Sequence, residues 1–285
     1  MRALLLYVGA VVVALVALKL LVLAVQPRFA FFPFRGEDIT PTEHHWDYEA
    51  VTITTRDGER LRAWWLSHPA PRAQIVYFHG NGGNLSIWSD ILIGIARRGF
   101  SLLAVDYRGY GLSTGQPSEQ GLYADVDATI HYVTQHPRRA DRPTIYWGRS
   151  LGATMAARAA RVVQPDGLVL ESGFPDVHAL FARNPVMWSL AWLSSYRFPT
   201  ARWLEGVTCP ILALHGTADS VVPFRVGREL FDRITSPRKR FVAIDGGDHN
   251  DPTPRHAEHY WDAVEQLVAE STTSTKHVRP RTPDP

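Results

Sequence analysis

Six short apolar runs, each followed by a stretch with helical spacing or by a turn, constrain this chain more than any other feature. They read "QIVYF" at 74 to 78, "SLLAVD" at 101 to 106, "TIYW" at 144 to 147, "GLVLE" at 167 to 171, "ILALH" at 211 to 215 and "FVAID" at 241 to 245. Runs of this length without polar alternation are strands buried on both faces. Among them the spacing predicts helices from Leu85 to Arg98, Ser118 to Gln135, Leu151 to Val163, Arg225 to Ile234 and Pro254 to Glu270. Strands and helices in alternation build an α/β fold, a mostly parallel central sheet with helices on both faces. Ahead of them, "VTITTRDGERLRAWWL" places two β-rich halves around Asp57-Gly58, the turn pair of an antiparallel hairpin. A chain of 285 residues with 45% apolar content can bury such a sheet in one core.

The first residues belong to a different physical regime. "ALLLYVGAVVVALVALKLLVLAV", residues 3 to 25, carries only Lys19 as a charge. At 1.5 Å per residue it would span about 34 Å as a helix, the thickness of a bilayer core. Lys19 lies near one end, where its ammonium can reach the headgroups. A cleaved signal has a shorter apolar region and a small-x-small site, so the run reads as an uncleaved single-pass transmembrane anchor, 1–26. Arg2 precedes it while Arg28 and Arg35 follow, which leaves the side of the folded domain open. The aromatic-rich "RFAFFPF" then reads as a juxtamembrane collar within segment 27–50, with the folded domain at 51–270 and a disordered tail at 271–285. Thirty Lys and Arg against 28 Asp and Glu give no field for nucleic acid. One cysteine, Cys209, excludes a disulfide framework and reads as a packed core thiol.

Chemistry must therefore come from local motifs, and "GRSLGA" at 148 to 153 is the sharpest. It fits G-x-S-x-G between a strand and a helix, the turn that thrusts a serine hydroxyl outward. Glycines two residues either side let the strand and helix backbones pass without Cβ clashes. The pattern recurs at Gly111-Leu112-Ser113-Thr114-Gly115, but loop follows that copy, so Ser150 is the candidate nucleophile. Serine needs a base, and the base needs a carboxylate to orient it. His249, in "DGGDHND" beyond a strand, is the candidate base. Asp219, in "LALHGTADSVVPF", is the candidate acid, with Glu171 as runner-up and Asp248 read as a loop residue. His215, in line within its strand, reads as structural. For the oxyanion, Leu151 supplies one N–H and the glycine-rich "HGNGGN" the other, through Asn81 or, next, Gly82. No lysine follows that turn to make it a phosphate loop. Arg149 reads as a partner of Glu171 or of backbone carbonyls, with a substrate carboxylate as the other option. "HAEH" at 256 to 259 does not match a zinc-protease helix, and that pair, with His44 and His45, reads as solvated. Neither a metal nor a cofactor is expected.

In order, "HGNGGN", "DYRGYGLSTG", "GRSLGA", "HGTADSVVPF" and "GGDHND" behind one apolar helix resemble the membrane-anchored serine hydrolases of the α/β-hydrolase superfamily. Esterases, serine aminopeptidase-like enzymes and acyl-protein depalmitoylases belong to that group. The resemblance covers about residues 30 to 270 and implies Ser150, Asp219 and His249 as the catalytic triad and "DYRGYGLSTG" as a structural loop lining the site. It implies an α/β-hydrolase fold with a short helical cap, here the aromatic-rich segment 173–208, which can equally be ordinary helices on the sheet. The depalmitoylase branch carries an N-terminal cysteine cluster for lipid anchoring, and here a hydrophobic helix stands in its place. The expected activity is hydrolysis of carboxylic esters or thioesters, with small-molecule or lipid ester substrates. Amide or peptide hydrolysis by the same triad, and a silent binding protein on this fold, are the alternatives.

Overall fold

The computed structural model describes residues 1–136, 142–182, 188, 194–251 and 257–278. Within them lie strands β1 (Tyr48–Thr54), β2 (Arg60–Leu66), β3 (Ala73–Phe78), β4 (Phe100–Val105), β5 (Thr144–Arg149), β6 (Gly167–Glu171), β7 (Ile211–Gly216) and β8 (Lys239–Ile244). The helices are α1 (Arg2–Ala30), α2 (Leu85–Arg97), α3 (Glu119–Gln135), α4 (Leu151–Val162), α5 (Val177–Phe181), α6 (Thr200–Trp203), α7 (Phe224–Arg233) and α8 (Ala257–Val278). The strands form one sheet in the order β1-β2-β4-β3-β5-β6-β7-β8. β1 and β2 form the antiparallel hairpin expected around Gly58, β2 runs antiparallel to β4, and the other pairings are parallel.

Successive side chains of a strand point to opposite faces, so each buried strand feeds two cores. Val76 and Phe78 of β3 join Leu122 and Val126 of α3, Met155 of α4 and Leu230 of α7 on one face. Ile75 and Tyr77 join Leu92 and Ile93 of α2 and Val264 and Leu267 of α8 on the other. Apolar demand on both faces is why these runs show no alternation. The chain passes from β3 to β4 on one side and then crosses to β5 on the other, so the strand order reverses around β3. A crevice opens at such a reversal, beyond the carboxyl ends of the strands.

Three expectations about the ends are corrected. Segment 27–50 is not a separate collar, because α1 runs to Ala30 and Phe31 is buried in the main core. Phe32–Pro33 pairs in parallel with Gly82–Gly83, and β1 already begins at Tyr48. Hydrogen bonding to the glycine-rich loop draws this stretch into the domain. At the other end α8 continues past 270 to Val278, with Ser271 and Thr272 hydroxyls donating to the carbonyls of Leu267 and Val268. His44 is not simply solvated: its Nε2 lies 3.0 Å from Ser89 Oγ and its Nδ1 3.6 Å from Asp90. His45 and His259 are exposed, while His256 lies outside the described residues. Of segment 173–208, α5 and α6 are described, along with the irregular stretch before α6, and 183–187 and 189–193 are outside.

Candidate active site

The turn between β5 and α4 places Ser150 at φ +57° and ψ −119°, a conformation that costs a non-glycine residue about 1–3 kcal/mol. Neighbouring backbone holds it there, since Ser150 N–H donates to the Glu171 carbonyl at 2.8 Å. The two glycines are required by close approach. A Cβ on Gly148 would stand 1.9 Å from the Gly152 carbonyl oxygen, and one on Gly152 would stand 1.9 Å from that of Phe78. The hydroxyl consequently faces the crevice at the strand reversal.

Two loops bring partners to it. Asp219 follows β7 and His249 follows β8, and the loops are stitched together by Ala218 N–H to the Gly247 carbonyl at 3.0 Å and Ser220 N–H to Asp248 at 2.8 Å. His249 Nε2 lies 3.0 Å from Ser150 Oγ, and its Nδ1 lies 2.8 Å from Asp219 Oδ2. With Nδ1–H donating to the carboxylate, the Nε2 lone pair faces the serine hydroxyl. The other Asp219 oxygen accepts from the N–H groups of Val221 at 3.0 Å and Val222 at 2.7 Å. Burial works against ionisation of Asp219, but the hydrogen bond and charge of His249, with the Val222 N–H and His215, outweigh it and hold the carboxyl below its ordinary value. The structure thus brings Ser150, His249 and Asp219 into one hydrogen-bonded chain.

The other candidates stand outside this hydrogen-bonded chain, His215 beside it at 3.4 Å from Asp219 Oδ2. Glu171 accepts from Tyr260 OH at 2.9 Å and Trp147 Nε1 at 3.3 Å, behind the histidine loop. Arg149 stands 3.6 Å from Glu171 and donates through Nη2 to the carbonyls of His249 at 2.6 Å and Asp251 at 2.9 Å. Both structural partners expected for it are present, and through them it clamps the histidine loop. Ser113 is buried, donating to the Asp106 carbonyl and accepting from Arg62 N–H, each at 2.8 Å. His215 bonds the Val222 carbonyl at 2.8 Å, and burial pushes its pKa down. Cys209 is a buried core thiol whose pKa burial pushes up to about 12.

Around the crevice, Leu151 N–H heads α4, where helical N–H groups have no intrahelical acceptor. Neither it nor the Asn81 N–H donates to a protein acceptor among the described residues. The Asn81 side chain is occupied: Nδ2 donates to the Ala30 carbonyl at 2.7 Å, and Tyr110 OH donates to its carbonyl at 2.8 Å and to Oδ1 at 3.0 Å. Sequence reasoning missed Ala30 and Tyr110 because these contacts span 51 and 29 positions with no fixed spacing. "DYRGYGLSTG" forms a braced loop, in which Arg108 bonds Asp125 at 2.8 Å and Asp57 at 2.7 Å. Among the described residues, no three His, Cys, Asp or Glu are placed to hold a metal ion.

Sheet order, antiparallel second strand and serine turn together define an α/β-hydrolase. A family model described as "Serine aminopeptidase, S33" matches residues 69–206. An uncharacterized Mycobacterium tuberculosis protein, Rv2307c, is 30% identical over 267 residues, covering 91% of this chain and 95% of its own. An uncharacterized membrane protein of Saccharomyces cerevisiae, YNL320W, is 29% identical over 241 residues, covering 81% and 83%. The Pyrococcus furiosus esterase Pf2001 superposes with a TM-score of 0.65 at 20% identity, covering 86% of this chain and 98% of its own. The chain belongs to the α/β-hydrolase family of these bacterial and yeast relatives.

Proposed function

We propose that the protein is a membrane-anchored serine hydrolase that cleaves carboxylic esters or thioesters through an acyl-enzyme. The observation that carries this reading is the chain from Asp219 through His249 to a strained, outward Ser150 hydroxyl. His249 Nε2 takes the Ser150 proton as Oγ bonds to the substrate carbonyl carbon. The resulting oxyanion is met by the N–H groups of Asn81 and Leu151. Collapse breaks the bond to the alcohol or thiol, which leaves with the proton from His249, and water then repeats the sequence on the acyl-serine. Asp219 holds the imidazole tautomer and stabilises its charged form. Neither metal nor cofactor has a part in these steps.

The anchor reading rests on α1, whose stretch Ala3–Ala30 has the length and hydropathy to cross a membrane, and on the yeast relative described as a membrane protein. It favours small-molecule or lipid esters met at the bilayer surface. The description of the matching family model supports amide cleavage by the same groups as a second reading. A fluorophosphonate probe tests the first step: wild type and Ser113→Ala label, and Ser150→Ala does not. Labelling retained in Ser150→Ala overturns the assignment. A panel of esters, thioesters and aminoacyl amides, assayed on fresh enzyme that has not met the probe, separates the two substrate classes.

A further inference from the structure

The loop that carries the Asn81 N–H cannot hold its own shape. Two glycines follow Asn81, and Gly83 lies at φ +91°, so the backbone has wide freedom unless it is braced from outside. Trp88 Nε1 of α2 donates to the Gly82 carbonyl at 2.8 Å, and further braces come from the end of α1 and the chain just after it. Phe32 and Pro33 pair with Gly82 and Gly83, Phe34 N–H donates to the Gly83 carbonyl at 3.1 Å, and Asn84 Nδ2 donates to the Gly36 carbonyl at 2.8 Å.

Asn81 itself stands at the junction. Ala30 is the last residue of α1, so its carbonyl is one of the terminal acceptors a helix cannot satisfy internally. The Asn81 carboxamide supplies the missing donor at 2.7 Å, while Tyr110 OH holds both its side-chain and main-chain oxygens. The same helix end is also seated on the stretch of chain just before α6. Phe31 packs edge-on against Tyr196 and Phe198, with ring centroids 5.4 and 6.4 Å away, and Gln26 Nε2 donates to Ser195 Oγ at 2.6 Å.

We propose that the Asn81 side chain is a positioning group that caps the membrane helix and thereby fixes the Asn81 N–H for the oxyanion, which makes the end of α1 part of the apparatus for stabilising the transition state. This rests on the serine hydrolase reading above. An oxyanion donor acts only on the tetrahedral species, and a misplacement of about 1 Å costs up to about 100-fold in rate. Releasing the latch therefore lowers kcat and leaves ground-state binding alone.

The test uses full-length protein in detergent micelles, as wild type, Asn81→Ala and Tyr110→Phe, the last nearly isosteric so that the fold is kept. Active sites are counted by fluorophosphonate labelling taken to completion, so a loss of folded protein lowers the count and not the turnover per site. For a short nitrophenyl ester, kcat per labelled site is expected to fall about 10- to 100-fold in both variants, with KM within about twofold of wild type. The Ki of a trifluoromethyl ketone, which forms the tetrahedral oxyanion on the serine, is expected to rise in proportion. Unchanged per-site kcat and ketone affinity in both variants, or a raised KM at constant kcat, overturns the latch while the hydrolase stands. A wild type that neither labels nor turns over overturns both.

Discussion

Ser150, His249 and Asp219 come from three loops after three different strands, so each depends on side chains that never meet a substrate. Asp219 illustrates the cost and its compensation, because a buried carboxylate is held ionised by the His249 imidazole and two backbone N–H groups, with His215 3.4 Å away adding to the effect. Its pKa lies below the ordinary value, so the stability it contributes is fully present above the ordinary carboxylate range and is lost as pH falls through the lowered folded value. Asp219→Asn should flatten the acid limb of a pH series of unfolding midpoints. It should also cut turnover by about 10⁴, because an amide holds the wrong imidazole tautomer. Glu171 provides the contrast: Glu171→Gln should leave turnover within about threefold, since the carboxyl meets Tyr260 and Trp147 and not His249. Arg149→Met should destabilise by about 3 kcal/mol in chemical denaturation, leaving the carbonyls of His249 and Asp251 without their Arg149 donor and the Glu171 carboxylate without its cation.

At the scale of elements, the serine turn works because α4 is pressed against the ends of β3 and β5, and two glycines permit that approach. Gly152→Ala would drive a Cβ into the Phe78 carbonyl, which belongs to the sheet and cannot move aside. Probe labelling should be lost, with destabilisation of at least about 2 kcal/mol. Gly94, inside α2, has nothing within 4 Å of its would-be Cβ. Gly94→Ala should therefore stabilise by about 0.5–1 kcal/mol in the same denaturation assay, because alanine loses less backbone freedom in a helix. The two glycines look alike in composition, and only the neighbouring element separates them.

On the scale of the whole molecule, α1 has two parts. Residues 3 to 18 are exposed along their length, whereas Lys19 donates to the Ser194 carbonyl at 3.5 Å and Gln26 meets Ser194 and Ser195. The first part carries no charge and is apolar apart from the Tyr7 hydroxyl, and the second is docked on the domain. Full-length protein should stay with membranes through high salt and alkaline carbonate, as insertion of about 20 apolar residues is effectively irreversible. Removing residues 1 to 18 should release a soluble protein with its rate on short esters kept within about threefold. Removing residues 1 to 34 takes away Ala30, Phe31 and the pairing with Gly82–Gly83, and should abolish activity. A mature protein beginning near Pro27 in an N-terminal sequence would identify the helix as a cleaved signal and contradict the anchor.

The sheet, the hairpin and the helices on both faces were legible because their signals are local, and signals of the same kind singled out Ser150, Asp219 and His249, which the fold brings within hydrogen-bond reach of one another. Continuous apolar runs, Asp-Gly turns and G-x-S-x-G report on residues a few places apart, where sterics and burial act directly on sequence. Glycine loops after the last two strands marked where an acid and a histidine could swing back over the sheet. The tertiary structure alone decided what holds those groups in place: Arg149 reaching across 100 positions to the His249 carbonyl, Tyr110 and Ala30 gripping Asn81, and Phe31 leaving the expected collar for the core. A carbonyl accepts from any donor that the fold brings within reach, so contacts of this kind leave no spacing in the sequence by which to find them.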